Sequence, residues 1–348
     1  MNVKGLAAVL VEQNAPLALE DVEVPTVSFG QVLVRVLVSG ICGSQLGEIA
    51  GVKGPDRFIP HLLGHEGTGE VLEVGVGVRT VTPGDRVVLH WRKGAGLESL
   101  CPVYGSARGP VNAGWVTTFN EFAVVSENRV TTVPADFDPA VASLFGCAVT
   151  TGFGVVNNNA KVKIGESVVV FGAGGIGLSI VQAAALVGAY PIVALDLFDN
   201  RLSLAKKLGA THAINSRGID AEAAVRDIAA EYDVAVDNTG NVKVIEAAYR
   251  VTGPRGRTIL VGVPAKGTAA AIHTLPLHFD KVLTGSHGGE AVPQYDIPNY
   301  VRLCGSGKLD LTPTLGKEYP LADINRALDA MRSGELAGRA VVRTSPSR

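Results

Sequence analysis

The sequence predicts an α/β fold in two parts: a β-rich domain and a doubly wound parallel-sheet domain. Three observations carry that prediction. Short apolar runs punctuated by Gly and Pro occupy the chain up to about residue 150. From Ser167 onward, apolar strands alternate with stretches of helical spacing. A glycine turn, Gly172-Ala173-Gly174-Gly175-Ile176-Gly177, joins one such strand to one such helix.

Taken in order, Gln31 to Val38 reads as an apolar strand followed by Ser39-Gly40. Gly67 to Val74 and Asp85 to Leu89 read as two more. Thr82-Pro83-Gly84-Asp85 reads as a turn, because proline pre-sets φ there. Many short strands with glycine-rich turns suit a distorted barrel or sandwich. In the second part, Val168 to Phe171 is a buried strand and Ile176 to Val187 a helix. Ile192 to Leu195 is the next strand, and Asn200 to Leu208 a helix that Gly209 is placed to cap. Val234 to Asp237 and Thr258 to Val261 are further strands. This βαβ alternation predicts a parallel sheet with right-handed crossovers. Leu321 to Arg332 carries the spacing of an amphipathic helix, and Ala340 to Arg343 a last strand returning to the first domain. The expected domains are 1–152 with 287–348, and 153–286.

The 348 residues are 47% hydrophobic, with a net charge of -2 spread as interspersed signs. Such a chain has no surface for a polyanion, which argues against nucleic acid. No window approaches the roughly 18 apolar residues of a bilayer span. The apolar run before Glu12 is too short for a signal peptide. The expectation is a cytoplasmic protein with no membrane partner. Cys42, Cys101, Cys147 and Cys304 are too sparse for a disulfide framework.

Each part of the glycine turn has a physical task. Gly172 permits the tight turn, Gly174 lets backbone approach a pyrophosphate, and Gly177 lets the helix pack on the sheet. Gly175 and Ile176 open the helix, whose N-terminal N–H groups face the phosphates. Asp196 ends the next strand, where an acidic residue accepts hydrogen bonds from the adenosine ribose. A carboxylate there repels a 2′-phosphate, and Leu197-Phe198 follow with no adjacent Arg. NAD(H) is therefore expected over NADP(H).

Cys42, His65 and Cys147 are the candidate zinc ligands of the first domain. Catalytic zinc takes three protein ligands and keeps one open position. These three are scattered over about a hundred residues, so spacing alone also fits buried structural side chains. Gly40-Ile41-Cys42-Gly43-Ser44, Gly64-His65-Glu66-Gly67-Thr68-Gly69, Thr82-Pro83-Gly84-Asp85-Arg86-Val87 and the Gly172 turn go further. Together they resemble the zinc-containing alcohol dehydrogenases of the medium-chain dehydrogenase/reductase superfamily, in register across nearly the whole chain.

The resemblance implies a GroES-like catalytic domain interrupted by a Rossmann NAD-binding domain, with the active site in the cleft between them. It implies one catalytic Zn²⁺ per subunit on Cys42, His65 and Cys147, with Glu66 as an alternative ligand. Two thiolates and a neutral imidazole would leave the ion a Lewis acid that lowers the pKa of a substrate hydroxyl. The nicotinamide would accept the hydride. Ser44 would bind the substrate oxygen and pass on its proton, and Thr151 would contact the nicotinamide. Arg201 and Arg339 match basic residues near the cofactor phosphates in some relatives; each also reads as a solvated surface arginine. A homodimer or homotetramer is implied.

Three departures stand out. The lobe that carries four structural-zinc cysteines in relatives corresponds to about His90 to Trp115, which contains only Cys101. Gln45 replaces an Asp that supports the metal-bound histidine, and would leave the zinc more electrophilic. Gly47 stands where some relatives end a proton relay in His, so water or Glu48 must take the proton. Trp91 aligns with a pocket aromatic; with His90, Arg92 and Lys93 beside it, the wall suits a polar or anionic alcohol or carbonyl compound. That means a polyol, a sugar derivative or a phosphorylated alcohol. His287 is placed to reach the nicotinamide side. The competing readings are a zinc-free enone or quinone reductase of the same superfamily and a non-catalytic NAD-binding protein.

Overall fold

A computed structural model describes residues 3–344. They form two compact units. One runs to Cys147 and resumes at Val292; the other is Ala148–Ala291.

The first unit is built on the strand Gln31–Gly40, which is buried along nearly its whole length. Its period of two feeds two separate cores. Val32, Val34 and Val36 pack with Val71, Val87, Leu89 and Val125. Leu33 points the other way, into a cluster with Val9, Tyr104 and Val124. Each such buried Val or Leu contributes about 1.5–3 kcal/mol relative to exposure. A seven-stranded sheet runs in the order Val130–Thr132, Arg86–His90, Glu66–Val74, Gln31–Gly40, Arg339–Arg343, Leu315–Pro320, with Phe122–Ser126 also paired to Gln31–Gly40. Five further strands close a small barrel. The last predicted strand is present and pairs antiparallel with Gln31–Gly40.

Register explains how distant residues meet. Glu66 lies opposite His90, Gly67 opposite Ser39, and Gly40 opposite Val341. The start of Glu66–Val74, the end of Gln31–Gly40 and the start of Arg339–Arg343 therefore share one end of the sheet.

The second unit is a six-stranded parallel sheet. Its order is His212–Asn215, Ile192–Asp196, Val168–Phe171, Tyr232–Asp237, Thr252–Leu260, Val282–Gly285. Every neighbouring pair is parallel. This is the doubly wound order with its switch point beside Val168–Phe171. The helix Ala148–Gly154 belongs to this unit, because Gly154 and Gly289 let two backbones touch where a Cβ would meet Gly289 O at 2.3 Å.

Several strands are not foreseen in the sequence reading. His212–Asn215 and Val282–Gly285 are four-residue edge strands, half-exposed, and too short to show a period. Val103–Ser106 forms a hairpin with Gly109–Asn112 inside the region read as a loop. That region is held by packing and hydrogen bonds. The buried Glu127 carboxylate accepts the N–H groups of Arg79 at 2.6 Å, Thr80 at 2.8 Å and Leu97 at 2.7 Å. Gln31 Nε2 donates to Leu100 O at 3.0 Å.

Candidate active site

Cys42 is the N-cap of the helix Gly43–Ile49, directly after the central strand. His65 precedes the strand Glu66–Val74, and Cys147 follows the short 3₁₀ turn Leu144–Gly146. One thiol sulfur from each cysteine and one ring nitrogen of His65 lie within 4.8 Å of one another. A tetrahedral zinc with two sulfurs and a nitrogen needs its ligand atoms roughly 3.5–3.8 Å apart, so contraction by about an ångström completes the shell. Both cysteines are buried, and no other group of three His, Cys, Asp or Glu among the described residues meets this test.

Gln45 organises two of the three ligands. Its Oε1 accepts the Cys42 N–H at 2.8 Å, and its amide nitrogen lies 2.5 Å from His65 Nδ1. With Gln45 donating to Nδ1, the other ring nitrogen of His65 carries the proton and donates to the Cys42 side chain. Gln45 thus caps the backbone at Cys42 and supports the histidine with the same side chain.

The electrostatics fit a cation. The hydrogen bond from Cys147 holds the Cys42 thiol well below the ordinary range, against the effect of burial, with help from Arg339. The same shared proton pushes Cys147 well above it. Burial opposes a charge on His65, but the hydrogen bond and attraction from Cys42 prevail and raise it. Burial raises Glu66, although Arg339 pulls the other way. Arg339 Nε lies 2.7 Å from Glu66 Oε1, with both side chains at 4% and 0% exposure. Arg339 is therefore no surface arginine: it is a buried countercharge beside the ligand set. Gly40 makes room for this pair, because a Cβ there would meet Glu66 Oε1 at 2.5 Å.

Ser44 is exposed on the first turn of the Gly43–Ile49 helix. Arg92 lies over the Trp91 ring at 5.8 Å. The rest of the expected basic wall is weaker than it reads. Lys93 and Arg129 both pair with Glu98. His90 is fully buried, with Nδ1 on Arg92 O at 2.7 Å and Nε2 on Thr131 Oγ1 at 2.9 Å. Burial pushes its pKa down to about 4, so it carries no charge at neutral pH. Glu48 is half-buried, and burial raises its carboxyl above the usual range.

In the second unit, Gly172 has φ +95° and Gly177 packs so tightly that a Cβ would lie 1.9 Å from Gly172 O. Gly174 caps the helix Gly175–Leu186 with no side-chain partner, and a Cβ there would meet nothing within 4 Å. Unbonded helix N–H groups face open space, which is what a pyrophosphate requires. Thr151 Oγ1 is buried without a hydrogen-bond partner, as a hydroxyl waiting for a ligand amide would be. Asp196 sits at the strand end with Arg201 Nη1 3.6 Å from its Oδ1. His287 is exposed and opens the turn Gly288–Glu290, its N–H donating to Glu290 Oε1 at 3.0 Å.

One residue escapes the sequence reading here. Arg217 lies over the Phe198 ring at 5.4 Å, and Arg201 over the same ring at 4.7 Å. The expectation of no arginine near Asp196 is corrected by the fold. Arg217 follows the neighbouring strand, and only sheet pairing brings it there.

A dinucleotide turn on a parallel sheet, joined in one chain to a buried Cys-His-Cys set, defines a zinc-dependent dehydrogenase using NAD. Residues 28–135 match the alcohol dehydrogenase GroES-like domain, and residues 175–306 the zinc-binding dehydrogenase domain. S-(hydroxymethyl)glutathione dehydrogenase of Paracoccus denitrificans is 32% identical over 366 residues, covering 94% of this chain and 97% of that one. An alcohol dehydrogenase zinc-binding domain protein from Burkholderia ambifaria superposes with TM-score 0.90 at 31% identity, covering 99% and 100% of the two chains. Benzyl alcohol dehydrogenase from Acinetobacter calcoaceticus superposes with TM-score 0.88 at 28% identity, also covering 99% and 100%. The chain belongs to the zinc-containing alcohol dehydrogenases of the medium-chain dehydrogenase/reductase superfamily. It is a zinc-dependent alcohol oxidoreductase, and nothing in these relatives speaks for the zinc-free reductase or the non-catalytic alternative.

Proposed function

We propose that this enzyme interconverts a small, polar, uncharged alcohol and its carbonyl compound. The observation that carries the reading is the convergence of Cys42, His65 and Cys147 beside the buried Glu66–Arg339 pair. When bound, zinc supplies a Lewis acid that lowers the pKa of a substrate hydroxyl, and NAD supplies the hydride acceptor.

The chain's own residues do the rest. Cys42, His65 and Cys147 hold the ion, and Gln45 fixes His65 and the Cys42 backbone. Glu66 stays beside the ligand set as an alternative donor, neutralised by Arg339. Ser44 receives the substrate hydroxyl and releases its proton toward water or Glu48, whose raised carboxyl lies nearer neutral pH. Gly172, Gly174, Gly175, Ile176 and Gly177 cradle the pyrophosphate; Asp196 and Arg201 hold the adenosine ribose; Thr151 meets the nicotinamide. Trp91 and Arg92 serve the substrate in the first unit, and His287 belongs to the second. Neutral His90 and the engagement of Lys93 by Glu98 favour an uncharged polyol or sugar alcohol over an anionic substrate.

A homodimer is the proposed assembly. Val282–Gly285 is a sheet edge with Val282 41% exposed, next to Leu275 at 58% and Phe279 at 66%. An apolar open edge invites a second copy.

The test combines metal content with turnover. The purified enzyme should hold one zinc per chain and reduce NAD with at least one polyol or sugar alcohol. Cys147→Ser should lose the zinc and the turnover while still binding NADH. Full zinc-free turnover by the native enzyme would refute the assignment.

A further inference from the structure

We propose that Arg217 widens the cofactor range of this NAD-dependent enzyme, giving its nucleotide unit affinity for the 2′-phosphorylated dinucleotide as well, despite Asp196. The inference rests on the dinucleotide occupying the glycine turn, as assigned above.

Three observations carry it. First, the Asp196 carboxylate is largely spent on its own fold. Its Oδ2 accepts the Ala173 N–H at 2.7 Å, and its Oδ1 accepts those of Leu197 at 2.8 Å and Phe198 at 3.2 Å. A carboxylate offers about four acceptor sites, so roughly one remains for a ribose hydroxyl. Arg201 Nη1, 3.6 Å from Oδ1, further offsets the charge that would repel a phosphate.

Second, Arg217 is fixed at the right place. Asn215 is the register partner of Asp196 on the adjacent parallel strand, and Arg217 follows it by two residues. The Arg217 N–H donates to Asn215 Oδ1 at 3.0 Å, and its Nη2 donates to Leu197 O at 3.2 Å. Its guanidinium is thus anchored beside the strand end that meets the ribose.

Third, Arg217 and Arg201 both stack on Phe198, at 5.4 and 4.7 Å. Stacking on an aromatic ring holds a guanidinium in one orientation while its remaining N–H groups stay available. Asp199, the other nearby carboxylate, accepts from Asn215 Nδ2 at 2.8 Å. Two arginines therefore balance two aspartates. An arginine beside the 2′-oxygen accommodates a 2′-phosphate.

The experiment measures dissociation constants for NADH and NADPH by nicotinamide fluorescence, in the zinc-loaded enzyme and in Arg217→Ala and Arg217→Lys. The native enzyme should bind NADPH no more than about a hundredfold more weakly than NADH. Arg217→Ala should weaken NADPH by about tenfold or more and NADH by less than about threefold, corresponding to one lost charge-assisted bond. Arg217→Lys should restore part of the NADPH affinity. Arg217 is exposed, so the variants keep the fold. Equal weakening of both cofactors, or a native enzyme that binds NADH but no NADPH, overturns the proposal alone. A native enzyme that binds neither overturns the nucleotide assignment beneath it.

Discussion

At the scale of single residues, the metal centre turns on Gln45. One amide side chain satisfies the Cys42 backbone N–H and steadies the His65 ring, so it orients two of three ligands at once. Removing a group that orients a ligand typically costs 10–100-fold in metal affinity. Gln45→Ala should therefore raise the zinc dissociation constant by about that factor in a chelator competition, with the folded circular dichroism spectrum unchanged. An unaltered constant would show that packing alone places His65. The sequence marks Gln45 only through its position relative to family members that carry Asp. The bridging hydrogen bonds depend on a helix beginning at Gly43, and no spacing rule reveals them. The Glu66–Arg339 pair is still less legible, because the whole second unit separates its partners in the chain.

At the scale of elements, the segment from His90 to Trp115 is tied to the rest of its unit by hydrogen bonds to Glu127 and Gln31. Glu127 gathers three backbone N–H groups onto one buried carboxylate. Those hydrogen bonds outweigh burial and hold its carboxyl below the usual carboxylate range. Hydrogen bonds to a charged group contribute about 1.5–3 kcal/mol. Glu127→Gln should lower unfolding stability by an amount of that order and speed protease cleavage near Leu97. The sign with pH follows from the depressed folded value. The native advantage is complete above the unfolded glutamate value of about 4.3 and disappears as pH falls through the lower folded value. Urea unfolding of both forms at pH 7 and below pH 4 should show the gap closing in acid. A gap that widens in acid would mean that Glu127 is protonated in the native state. The sequence reading leaves this region as an unstapled loop, because a Glu flanked by the polar Ser126, Asn128 and Arg129 carries no periodic signal. The glycine turn is the opposite case. Strand, turn, helix and acid follow one another along the chain, and a Gly177 Cβ would strike Gly172 O.

At the scale of the whole molecule, two units with different logic share one chain. The edge strand Val282–Gly285 and its apolar neighbours make the assembly testable. Phe279→Glu combined with Val282→Asp should shift the native species from dimer to monomer in sedimentation velocity, without loss of the parallel-sheet circular dichroism. A native protein that sediments as a monomer would remove the proposal. The sequence by itself determined the fold class, the nucleotide turn and its acid, because these are written in local periodicity and short contiguous motifs. It also marked Cys42, His65 and Cys147, though resemblance rather than spacing singled them out. Only the tertiary structure decided that the three converge, that Arg339 is buried against Glu66, that His90 is neutral, and that Arg217 stands by Asp196. Each of these depends on strand register, which aligns residues far apart in the chain. Register is a property of paired backbones and not of any one segment.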